Sequence, residues 1–390
     1  MRSRYRVTVG MVAATVMVVV AGTAWGVESA PRVAHSSAFD AIKIGGRLMV
    51  DVALYDSDDV ELSSGTEVRR GRIFVKGALN EDWFFKAQYE FTASGAGSVK
   101  DFYMGYKGLG DATTLLMGQF VEYGSLADTT SSKYTTFMER ALPVLAFVPA
   151  ERRIGVGIDT HGDAWYAGVG LFGENSEVDE EADDGVGASL RVTAAPILAT
   201  ERALHLGAWS AYRTPRGDET RLRARPESHV SDTRLIDTGV ISNVNAQVSY
   251  GLELAGVAGP LSLQAEYLGM LLDREGFDDE YYAGWYTTLS WILTGETRPY
   301  DAHSGSFGRL RPLHPAGEGG VGAWEVAARF STLDLDDGIP GGSEDNLTLG
   351  LNWYVNTHTR FMLNLIDASA ERAGEESDVT IIQLRAQLDF

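Results

Sequence analysis

The chain has 390 residues, a formal net charge of −21, no cysteine, 44 glycines and 10% aromatic residues. Its acidity excludes a general nucleic-acid binder, which needs a basic face, and the lack of cysteine excludes disulfide scaffolds, thiolate-held metals and thiol nucleophiles. A mean hydropathy near −0.10 excludes a bundle of membrane-spanning helices but leaves open a transmembrane β-barrel, whose strands are apolar on one face only.

Arg2, Arg4 and Arg6 form a positive n-region, Val7 to Ala24 is uncharged and apolar, and Ala24-Trp25-Gly26 places small residues at a cleavage site. Residues 1–26 therefore read as a signal peptide and 27–390 as the exported protein, with an uncleaved anchor as the other reading. Removing the three arginines would leave a net charge of −24.

From residue 42 the hydropathy period is two, the spacing that sends alternate side chains to opposite faces of a strand. Ile42, Ile44, Leu48, Val50 and Leu54 alternate with Lys43, Arg47, Met49 and Asp51; Ile382, Leu384, Ala386, Leu388 and Phe390 alternate with Gln383, Arg385, Gln387 and Asp389. Sixteen strands are expected, near 42–54, 67–79, 83–91, 99–106, 113–120, 151–159, 164–172, 186–194, 203–213, 241–253, 261–272, 282–293, 322–332, 346–355, 359–367 and 379–390. Most have the length that crosses a bilayer when tilted, and the even count suits a single-chain barrel.

Asn80-Glu81-Asp82, His161-Gly162-Asp163 and Asn356-Thr357-His358 read as tight turns at one end; Gly173–Gly185 and Asp334–Asp345 read as acidic loops at the other. This asymmetry, with aromatic residues such as Trp83, Trp165, Trp291, Trp324 and Trp353 near strand ends, specifies an all-β transmembrane antiparallel β-barrel of about 16 strands. A soluble sandwich or propeller would alternate too, but with shorter strands. Two connections are oversized: Val121–Ala150, expected to fold inward, and Thr294–Val321, which parity puts at the turn end.

Several stretches, in order, resemble the phosphate-selective porins O and P. They include Glu67-Val68-Arg69-Arg70-Gly71-Arg72, Gly118-Gln119-Phe120, Thr130-Ser131-Ser132-Lys133 and Phe137-Met138-Glu139-Arg140. Further along come Leu293-Thr294-Gly295-Glu296-Thr297-Arg298-Pro299-Tyr300, Gly322-Ala323-Trp324-Glu325 and Leu349-Gly350-Leu351-Asn352-Trp353-Tyr354. The resemblance implies a sixteen-stranded outer-membrane barrel, a homotrimer, long segments folded into the pore, and basic side chains favouring anions.

The distribution of charge matters more to a channel than its sum. Acids crowd the expected outer loops: Glu174, Glu177, Asp179, Glu180, Glu181, Asp183 and Asp184 in one, Asp273, Glu275, Asp278, Asp279 and Glu280 in another, Glu371, Glu375, Glu376 and Asp378 in a third. They read as a solvated rim beside lipopolysaccharide or as a cation-attracting vestibule. Arg47, Arg70, Arg72, Lys76, Lys86, Arg191, Arg329, Arg360 and Arg385 fall on inward strand positions, where lipid does not oppose them. Rings of such residues select anions. The candidate constriction and anion-binding residues are Lys133, Arg140, Arg152, Arg153, Arg70, Arg72, Arg221, Arg223 and Arg225, and Glu139 is a candidate anchor from the inward loop to the Arg69–Arg72 stretch. Each strand arginine has an alternative as partner to an inward acid such as Asp51, Glu90, Asp101, Glu253, Glu266 or Glu325.

The seven histidines show no metal-ligand spacing, and no catalytic elbow or phosphate loop occurs. No enzyme, cofactor or metal is expected. The reading is a passive channel for small inorganic anions such as phosphate, with a general or cation-preferring porin as the alternative.

Overall fold

In the computed structural model, which describes residues 41–92, 97–148, 152–177, 185–317 and 319–390, sixteen antiparallel strands pair in chain order and the last closes on the first. They are β1 (Ala41–Asp56), β2 (Gly65–Ala78), β3 (Trp83–Glu90), β4 (Ser98–Tyr106), β5 (Thr113–Val121), β6 (Arg152–Gly162), β7 (Trp165–Phe172) and β8 (Gly187–Ala199). The second half comprises β9 (Arg202–Arg213), β10 (Val244–Ala258), β11 (Leu261–Arg274), β12 (Glu280–Ile292), β13 (Ala323–Asp337), β14 (Ile339–Tyr354), β15 (Thr359–Arg372) and β16 (Glu375–Asp389). All sixteen expected segments form these strands. The expected signal peptide lies outside the described residues.

Burial inverts the rule for soluble proteins. On β1 and β16 the buried polar residues are Arg47, Asp51, Gln383, Arg385, Gln387 and Asp389, while Leu48, Leu54, Ile382 and Leu388 are exposed on the outer face. The polar set lines the lumen and the apolar set meets lipid, the arrangement of a transmembrane barrel.

At the loop end the pattern turns over. Along β15 the outward series runs Leu363, Leu365, Asp367, Ser369, Glu371, and the inward series runs Asn364, Ile366, Ala368, Ala370. On β13, Asp334 and Asp336 face out where Leu333 and Leu335 are fully buried inside. The strands continue past the lipid, so their outer face becomes charged and their inner face packs against inserted loops. The expected loops Asp334–Asp345 and Glu371–Asp378 are accordingly strand: Gly338 (φ 70°) alone separates β13 from β14, and Ala373 and Gly374 alone separate β15 from β16. The expected 241–253 strand breaks at Asn243 (φ 61°), leaving Ile241–Ser242 to pair with Glu219–Thr220 instead.

The wall is uneven. Strands β3–β7 have 8–11 residues, whereas β10–β16 have 13–16. The connection 293–322 turns back into the lumen from the turn end, with Tyr300–Asp301 pairing Ser306–Phe307. Inward side chains clamp it: the Arg191 guanidinium donates to the Gly305 carbonyl at 2.7 Å, and His205 Nδ1 lies 2.7 Å from the Tyr300 hydroxyl.

Candidate functional site

Two outer loops fold into the lumen: loop 3, described over residues 122–148, and loop 5, residues 214–243. Loop 3 enters through space left by glycines. A Cβ at Gly157 would stand 2.7 Å from the Tyr123 hydroxyl, and Tyr123 packs there with Phe120, Tyr166 and Phe172. Ser125 then caps a single turn, α1 (Leu126–Thr129), accepting from the Asp128 N–H, while the inward Glu266 carboxylate accepts from the N–H groups of Leu126 and Ala127 at 3.1 and 2.9 Å. These three oxygens satisfy donors that a helix start leaves open. A second helix, α2 (Leu142–Phe147), begins with Pro143 and buries Leu142, Val144 and Phe147 against Leu333, Leu335 and Ile366 of the wall and Leu222, Leu235 and Ile236 of loop 5.

Between the helices the wall holds the loop chiefly by its main chain. Arg360 donates to the Thr135 carbonyl at 2.8 Å, Asn352 to that of Thr136 at 2.8 Å, Arg385 to that of Met138 at 2.6 Å and Arg329 to that of Glu139 at 3.0 Å. Asn364 accepts from the Met138 N–H at 3.1 Å, and Gln387 donates to the Lys133 carbonyl at 3.1 Å. The ionic exception is Glu139, which takes the anchoring role: its carboxylate receives Arg69 at 2.8 and 2.9 Å and Arg385 at 2.8 Å. Burial alone would raise its pKa, but the guanidinium groups of Arg69 and Arg385 outweigh that and hold it well below the usual carboxylate range.

Loop 5 is an extended arm. Arg223–Ala224 pairs with Ile236–Asp237, so Leu222 and Ala224 face the wall while Arg221 and Arg223 are exposed. At its tip Glu227 (φ 51°) is fully buried and binds Arg329, Ser331 and Thr348 of the wall and the Leu142 N–H of loop 3.

Which cations remain without a carboxylate decides the local field. Arg72 pairs with Glu90, Arg152 with Asp101, Arg153 with Glu122 and Glu174, Arg140 with Asp128 at 3.1 Å, Arg221 with Asp237 and Arg225 with Asp232. Arg140 is thus an internal brace of loop 3, also donating to the carbonyls of Ala127 and Asp128. Among the described residues Lys133, Arg70 and Arg223 have no carboxylate partner, and the buried Arg70 Nε has no hydrogen-bond partner at all. The cations without a carboxylate are not scattered. Across β1, β2 and β3, Lys43 stands opposite Lys76 and Lys76 opposite Lys86, which pairs with Asp101; one level up, Arg47 stands opposite Arg72, which Glu90 holds. Among the described residues Arg47 has the Ser132 hydroxyl as its partner, and Lys133 faces this wall from loop 3. Like charges set directly opposite across strands destabilise a sheet, and Lys43 and Lys76 have no paired acid to offset that.

Burial, with Arg47 and Arg309 nearby, pushes the Lys133 ammonium down to about 8 despite the opposing attraction of Asp389. A base with a lowered pKa is charged below that value and neutral above it. Anion preference, measured as reversal potential in a salt gradient, is therefore expected to fall between pH 7 and 9, and Lys133→Met is expected to remove that step.

Some of this was hidden from the sequence. Strict alternation would put Arg69 and Arg70 on opposite faces, but a register shift between Met49 and Val50 makes a bulge that turns both inward. Glu227 reads only as an acid diluting the loop 5 arginines, because nothing local signals burial. Of the outer acids, Asp179, Glu180, Glu181, Asp183 and Asp184 lie outside the described residues, and Glu280 is buried against Arg274.

Comparison with known proteins agrees with this geometry. The family model "Phosphate-selective porin O and P" matches residues 42–390. A protein of Caulobacter vibrioides described as uncharacterized is 33% identical over 373 residues, covering 90% of this chain and 74% of its own length. Porin O of Pseudomonas aeruginosa is 26% identical over 372 residues, covering 85% and 84%. Among solved structures, an anion-selective porin from Comamonas acidovorans superposes with a TM-score of 0.58 at 13% identity, covering 90% of this chain and 99% of that one. The outer-membrane protein OmpT of Vibrio cholerae does so with a TM-score of 0.58 at 11% identity, covering 92% and 99%. At such identities the structures attest the fold alone.

Proposed function

This chain belongs to the phosphate-selective porin O and P family and forms an outer-membrane porin channel, and from that premise we propose that it prefers small inorganic anions, phosphate among them. The observation that carries this reading is the group of cations without a carboxylate partner at one wall: Lys43 and Lys76, in the row that ends at the Asp101-paired Lys86, with Arg47, Arg70 and, from loop 3, Lys133 above them. An anion in the lumen supplies the missing counter-charge and exchanges part of its hydration for these donors. A cation-preferring channel, which the net charge of −21 suggests, would need free acids at the narrowest level. In the two loops that fold into the lumen, Glu139, Asp128, Glu122 and Glu227 are each bound by arginine.

The same reading gives the exposed outer acids the part of a solvated rim at the lipopolysaccharide level, and residues 1–26 the part of a cleaved export signal. It also takes the short wall β3–β7, with Phe102 and Leu171 among its most exposed apolar residues, as the contact face of a homotrimer. Unboiled gels would show a band at three times the monomer mass. In planar bilayers under a KCl gradient, the reversal potential is expected to report chloride preference, and phosphate is expected to block chloride current. Cation preference would sink the reading.

A further inference from the structure

We propose a second oxyanion station at the periplasmic end of the lumen, centred on Arg298; it rests on the anion reading above. The inward-turned connection that carries Arg298 borders a partly open pocket together with loop 3, the Asn356–His358 turn and the end of β16. Arg298 is buried, lies flat on the Phe307 ring with its guanidinium carbon 3.5 Å from the centroid, and has an Nη1 with no hydrogen-bond partner. Among the described residues no carboxylate reaches it. Two more cations line the cavity without a carboxylate: Lys133, and Arg360, whose buried Nε also lacks a partner.

Two acids line the pocket against four cations. Asp389 is held by Arg309, and Glu325 accepts at one oxygen from Asn352 at 2.8 Å and from the Tyr354 hydroxyl at 2.7 Å without reaching Arg298, so the lining keeps an excess of positive charge. A guanidinium buried with no ion-pair partner is costly, and one end of a planar fork left open toward this pocket suits an oxyanion, which accepts along fixed directions, better than chloride. Arg298 also borders a neighbouring pocket, shared with Arg140 and Arg329 beneath loop 3. An anion that passes loop 3 meets this guanidinium next. The competing role for Arg298 is a peg, stacked on Phe307 to stiffen the inserted connection.

The test is inorganic phosphate block of chloride current through oriented channels in planar bilayers, applied from each side. Arg298→Gln is expected to raise the half-blocking concentration from the periplasmic side about tenfold, the loss of one charge-assisted contact, and to change the external-side value less. Glu325→Gln, which removes the nearest competing charge, is expected to lower the periplasmic-side value several-fold, and it keeps the test open should Arg298→Gln fail to assemble. A peg would shift both sides equally. Equal shifts, or a periplasmic-side value unmoved in either variant, overturn the station while an anion-selective, phosphate-blocked wild type leaves the broader reading standing. A cation-selective wild type removes both.

Discussion

Replacing Glu139 with alanine is expected to raise single-channel conductance and weaken ion selectivity, because it cuts the ionic chain that ties the middle of loop 3 to the wall. That chain runs Asp51–Arg385–Glu139–Arg69, with contacts of 2.6, 2.8 and 2.8 Å, and Arg385, Asp51 and Glu139 are buried. Alanine leaves Arg69 with no ion-pair partner and Arg385 with Asp51 only. Stranding one member of a buried pair costs about 3–5 kcal/mol. Expressed as docking, that moves the closed-to-open ratio of loop 3 by roughly two to four orders of magnitude. The depressed pKa of Glu139 sets the pH range. A lowered carboxylate contributes its full stabilisation above the ordinary carboxylate value and loses it only as pH falls through the depressed one. The latch is thus closed at neutral pH and released only in strong acid. Unchanged conductance in the variant would show that the main-chain bonds hold the loop by themselves.

The second large effect is expected at Glu227. Its carboxylate gathers Arg329, Ser331 at 2.6 Å, Thr348 at 2.9 Å and the Leu142 N–H at 3.2 Å with no exposure to water. Glu227→Ala strands Arg329 at a similar cost of about 3–5 kcal/mol, so loop 5 is expected to become protease-sensitive within residues 214–243 and the barrel's detergent melting temperature to drop. Arg329 also donates to the Glu139 carbonyl, which joins the two loops through one guanidinium. The double variant of Glu139 and Glu227 is therefore expected to be non-additive. Strict additivity would mean that the loops dock independently.

Almost the whole wall was legible because lipid enforces alternation. Leu48, Leu363 and Leu384 have to be apolar on the outside, and that requirement writes a period of two into the sequence. It stops where the lipid stops. Beyond Asp367 the acid Glu371 reads as loop, although the ladder continues to Arg372. Strand and membrane end at different residues, and only the membrane edge leaves a sign in hydropathy. The interior was half legible. Inward arginines could be named, but not which of them retain a free charge. Arg72 and Arg70 are two residues apart on one strand, yet Glu90 neutralises the first and nothing neutralises the second. That difference depends on partners from other strands and loops, and a bulge at Arg69 shifts the register on which any pairing guess would rest.

Because the wall reads loop 3 through the carbonyls of Lys133, Thr135, Thr136, Met138 and Glu139, the identity of most side chains there is irrelevant to docking. Lys133 and Tyr134 project from a strap whose attachment does not depend on them. A lineage, or an engineer, can retune what the channel prefers by exchanging such side chains one at a time, with the strap staying where it is. Transplanting the strap into a barrel that lacks Arg329, Asn352, Arg360 and Arg385 would fail for the same reason: specificity here is substitutable, but the loop is not a portable part.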